Sequence, residues 1–71
     1  MNRREMFAAI QAASTMPPTL GQPVLRMVLE QLKNEPLPGV THLLIRGLGQ
    51  MYQRSGNPNV AVALREAREL A

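Results

Sequence analysis

The chain has no cysteine, no tryptophan and no aspartate, and only one histidine, one lysine, one tyrosine and one phenylalanine in 71 residues. Without cysteine there is neither a disulfide nor a thiolate metal site. A structural zinc centre needs about four Cys, His or carboxylate ligands at set spacings, and His42 with five scattered glutamates supplies no such set; no metal or cofactor is expected. No run approaches the roughly 20 apolar residues that span a bilayer. The basic start Met-Asn-Arg-Arg has the look of a leader, but Glu5 and Gln11 interrupt the apolar stretch behind it, so a helix is the better reading. A cytoplasmic protein is expected. Acids are missing altogether between Pro36 and Arg65, where His42, Arg46 and Arg54 lie. An anionic partner would meet that stretch, although two arginines in thirty residues are also ordinary solvated charge.

Length allows one domain, residues 1–71. A chain this short buries only about 60% of the surface it exposes unfolded. With disulfides and metals excluded, self-association into a dimer is the remaining support expected of it.

Proline and glycine cut the sequence into four segments at Met16–Pro23, Glu35–Gly39 and Ser55–Asn59. None shows the alternation of a strand. The expectation is an all-α fold, a bundle of four short helices over about 3–15, 23–34, 40–54 and 58–70, with the second and third as the central pair. In the first, Met6, Ala9, Ile10 and Ala13 share a narrow face and Asn2 is placed to cap the start. In the second, Pro23 suits the first helical position, while Thr19 and Gln22 offer an earlier capping box. Its residues Val24, Leu25, Met27, Val28, Leu29 and Leu32 cover more than half the circumference. So broad an apolar arc contacts elements on two sides, and Leu25, Leu29 and Leu32 are therefore candidates for a partner or dimer face. Arg26–Glu30 is an i, i+4 pair.

The third segment buries Leu43, Leu44, Leu48 and Met51, widened by Ile45 and Tyr52. Gly47 and Gly49 each cost a helix interior about 1 kcal/mol relative to alanine, which points to close approach by a neighbour or to a local break. Gly56 is placed to stop it. In the fourth, Asn57 is a cap, Pro58 takes the first turn, and Arg65–Glu69 is a second i, i+4 pair. Val62 points away from the apolar face formed by Val60, Ala63, Leu64, Ala67 and Leu70.

Catalytic constellations are wanting. Nucleophilic catalysis needs a Ser, Thr or Cys oriented by a base, and His42 has no such neighbour in any recognisable pattern. Gly47-Leu48-Gly49 lacks the third glycine and lysine of a phosphate loop. The chain reads as a non-enzyme.

The most specific feature is the stripe His42, Arg46, Gln50, Gln53 and Arg54 on the polar face of the third helix. Arginine and glutamine are the side chains that read guanine and adenine edges. The linker Glu35–Gly39 is longer and stiffer than a helix-turn-helix turn, and the basic excess, +3, is small. A solvated outer face and a protein contact compete with nucleic-acid recognition at this stripe. Met6, Met27 and Met51 place one adaptable side chain on each of three helices, as core filler or as contact. The expectation is a small module that binds and modulates another protein, as a regulator or inhibitor, in the style of a bacterial or phage accessory protein. A DNA- or RNA-binding regulator is the alternative.

Overall fold

In the computed structural model, which describes residues 1–71, each expected segment is a helix: α1 (Arg3–Ser14), α2 (Pro18–Asn34), α3 (Pro38–Ser55) and α4 (Pro58–Glu69). There is no strand. Links of two or three residues join them, so successive helices must pack against one another. α2 and α3 touch each other, and both touch α1 and α4, whereas α1 and α4 do not meet. The architecture is an all-α four-helix bundle with α2 and α3 on the shared diagonal.

Local chemistry explains most boundaries. Asn2 and Glu5 form a reciprocal capping box: Glu5 N–H donates to Asn2 Oδ1 at 2.8 Å, and Asn2 N–H donates to Glu5 Oε1 at 2.9 Å. α3 ends at Gly56, whose φ of 64° is the left-handed conformation that glycine adopts without steric cost. α4 restarts at once, with Asn57 accepting from Asn59 N–H at 2.8 Å and Pro58 at the first helical position. α3 begins at Pro38 rather than Val40, and the buried Thr41 hydroxyl donates to the Leu37 carbonyl at 3.1 Å.

The start of α2 departs from expectation. It begins at Pro18, not Pro23, and the Thr19–Gln22 capping box does not form. Pro23 lies inside the helix, where its missing N–H leaves the Thr19 carbonyl without its usual donor. Tertiary packing overrides this. Gly21 is buried so closely against α1 that a Cβ there would collide with the Ala13 carbonyl oxygen and lie 2.8 Å from Met51 Cε. Glycine at this position is a contact surface, not a breaker.

One core joins all four helices: Met6 and Ile10 from α1, Leu25, Val28, Leu29 and Leu32 from α2, Val40, Leu44, Leu48 and Met51 from α3, and Val60, Ala63, Leu64 and Ala67 from α4. The chain exposes 4326 Å². A folded monomer of its mass exposes about 4,400 Å², so the single chain already hides the surface expected of a free-standing domain. Its radius of gyration of 10.5 Å likewise matches the roughly 11 Å of a compact chain of this length.

Candidate functional site

The expected site residues fall into three groups. Leu25, Leu29 and Leu32 have no exposed surface at all within the single chain. They are core, not the exposed partner face expected of them. The broad apolar arc of α2 does need contacts on several sides, but α1, α3 and α4 together supply them. What α2 leaves outside is a different pair, Leu20 and Met27, spaced i, i+7, with the half-buried Val24 between them packed against the core. Leu20 is 64% and Met27 50% exposed.

His42, Arg46, Gln50 and Gln53 are exposed and share one face of α3, as the 3.6-residue period requires. None has a hydrogen-bond or ion-pair partner in the chain. Arg54, at the edge of the same face, is different. Its Nη2 donates to the carbonyl of Ser14, and to that of Met16 at 2.8 Å. The Ser14 carbonyl belongs to the last turn of α1 and lacks a donor of its own helix, the Met16 carbonyl lies in the link that follows, and a cation here is also favoured by the helix dipole. Arg54 is thus a clasp between α1 and α3, not a free member of the stripe as its spacing suggested.

His42, Arg46 and Gln50 of this stripe, but not Gln53, form one wall of a groove that the sequence did not reveal. Two adjoining depressions of about 350 and 280 Å³ run between α1 and α3 and share Leu43 and Arg46. Phe7 and Gly39 line one; Ile10, Gln11, Gly47 and Gln50 line the other. The floor is apolar and the rim carries amides, a cation and the hydroxyl residues Ser14 and Thr15. Its depth is set by Gly47, where a Cβ would collide with Ser14 Oγ and sit 3.4 Å from Ile10 Cγ2. Gly49 has open space around it, so the expectation of close approach holds for the first glycine and not the second. No acid lines either depression. Arg3 approaches the Gly39 end, with Nη2 3.7 Å from where a Cβ of Gly39 would sit.

Charge is sorted between helix pairs. α2 with Glu35, and α4, each balance two cations against two acids, so the whole formal +3 resides on α1 and α3. On the α2–α4 side, Glu66 Oε1 accepts from Lys33 Nζ at 2.6 Å and from Arg26 Nη1 at 2.9 Å, and Glu30 Oε2 closes the ring at 3.1 and 3.4 Å. Hydrogen bonds from Arg26 and then Lys33 hold the Glu66 carboxyl at about 2, well below its ordinary 4.5. The same bonds raise Arg26 and Lys33, each chiefly through Glu66, and lower Glu30, chiefly through Lys33. The expected Arg26–Glu30 pair is present, but Arg65–Glu69 is not formed: only the network just described meets ion-pair distance.

A third depression, about 500 Å³, lies between α3 and α4 beside Tyr52, Leu64, Arg65 and Arg68, with Glu69 on its rim. Every buried side-chain polar atom has a partner, and no three His, Cys, Asp or Glu side chains converge. No helix is long and apolar enough to cross a membrane. No family model, curated protein or solved structure matches the chain.

Proposed function

We propose that this chain is a small non-enzymatic protein-binding module, a cytoplasmic regulator or inhibitor that acts by docking on a partner protein. The observation that supports this most is the α1–α3 groove: an apolar floor beside three polar side chains, His42, Arg46 and Gln50, that the fold holds on one face, continued by Gln53, and leaves without partners. Interfaces combine a small apolar centre with a polar rim, and this groove has both. Affinity capture from lysate, with and without nuclease, tests the reading. A partner protein retained after nuclease treatment and lost on Arg46→Glu is the expected result.

Binding to DNA or RNA through the same stripe is the second reading, favoured by the confinement of all net charge to α1 and α3. It has one cation fewer than the sequence suggested, since Arg54 is engaged. Binding of this kind weakens steeply with salt as counterions are released, so a failure to bind duplex or single-stranded oligonucleotides at low salt would remove it. A homodimer would form through Leu20 and Met27, the apolar residues that α2 turns outward, rather than through Leu25 and Leu29.

A further inference from the structure

We propose that the groove between α1 and α3 takes an acidic segment of a partner protein, with an apolar side chain of that segment seated against Phe7 and Leu43. This rests on the protein-binding reading and names the occupant.

Charge complementarity selects the occupant. Arg46 and His42 stand on the α3 wall. On α1, Arg4 lies one turn before Phe7 and Gln11 one turn after it, all on the side that meets α3. Arg3 closes the end beside Gly39. Glu5, the only acid on either helix, lies on the opposite side of α1 and is engaged by the Asn2 backbone N–H. Every other acid is on α4 or on α2 and its C-cap, and two of them are bound in the Glu30–Glu66 network. A segment carrying Asp or Glu therefore meets no like charge in the groove lining itself; beyond its Arg3 end, Glu35 shares a neighbouring depression with Arg3.

The floor favours an acidic peptide over a single-stranded nucleic acid. Single-stranded nucleic acid binds on exposed aromatic platforms on which bases stack. Here the one aromatic at the groove is Phe7, half-buried and packed against the core, while Leu43, Ile10 and Gly47 make the rest of the floor aliphatic. An aliphatic slot flanked by cations and amides fits a Leu, Ile or Met among carboxylates. Gln11 and Gln50 on opposite walls offer donors and acceptors to a peptide backbone.

The test is selection of random dodecapeptides on the wild-type chain, followed by titration of the enriched peptides by fluorescence anisotropy. The expected peptides are rich in Asp and Glu with one or two aliphatic residues. Their affinity falls at least tenfold on Arg46→Glu and on Gln50→Glu, both exposed positions whose variants keep the helical circular dichroism, and is unchanged on Arg65→Glu. A single-stranded oligonucleotide of equal charge does not displace them. Selection of peptides without an acidic bias, or binding insensitive to Arg46→Glu, would overturn the assignment. So would displacement by the oligonucleotide, which would favour a nucleic acid instead. A protein captured from lysate whose binding survives Arg46→Glu sinks the groove while leaving the protein-binding reading intact; no protein partner at all removes that reading.

Discussion

The α2–α4 seam and the α1–α3 groove are built from similar residues and end up as opposites. At the seam, Arg26 and Lys33 converge on Glu66 and Glu30, and the charges neutralise one another. Across the groove, Arg54 reaches the end of α1, but Arg46, His42, Gln50 and Gln53 find nothing. The seam satisfies itself; the groove leaves unpaired polar groups beside an apolar floor. In a bundle with so few charges, where the acids are placed decides which face remains available, more than how many arginines there are.

The contrast can be broken from the core outward. Leu29→Ala removes a wholly buried side chain from one of the two helices that touch all three others. It is expected to cost about 2–5 kcal/mol, enough to unfold much of a small domain, read by urea denaturation. A loss of oligomeric state with stability retained would restore Leu29 to an interface. Next comes Gly21→Ala, which drives a methyl group into the Ala13 carbonyl, an obstacle that cannot rotate away. Overpacking of this kind costs about 1–3 kcal/mol. Gly49→Ala is the matched control. With open space around it, the gain in helix propensity should stabilise the chain by up to about 1 kcal/mol.

Arg54→Ala removes two hydrogen bonds from a charged donor to the end of α1 and is expected to lower stability by about 1 kcal/mol. Arg46→Ala, on the same face but unpartnered, should stay within about 0.5 kcal/mol of wild type. Equal effects from the two arginines would erase the distinction between clasp and free stripe. The smallest effect belongs to the seam. Because the folded Glu66 carboxyl sits at about 2 against an ordinary 4.5, the network stabilises the fold above pH 4.5. That contribution fades as pH falls towards 2. Glu66→Gln should lower the Tm slightly at pH 7 and flatten the decline of Tm across that acid window.

Much of this was legible in sequence because short-range chemistry sets it. Asn2 with Glu5, Gly56, and Asn57 with Pro58 mark helix ends through their own side chains and backbone. The polar stripe on α3 follows from helical periodicity alone. The errors came where a neighbour decides. Pro23 reads as a helix start unless Gly21 is known to pack on Ala13, and Leu25, Leu29 and Leu32 read as surplus unless three helices are known to surround α2. Arg54 belongs to the stripe by spacing and to α1 by reach. The groove needs Phe7 and Leu43, 36 positions apart, and no local pattern joins them.

The most direct test of the contrast is amide chemical-shift mapping of the ¹⁵N-labelled chain during titration with a selected acidic peptide. The account predicts shifts at Phe7, Gln11, Leu43, Arg46, Gly47 and Gln50, with Arg26, Glu30, Lys33 and Glu66 unmoved. Shifts concentrated along the α2–α4 seam, with the groove silent, would contradict it.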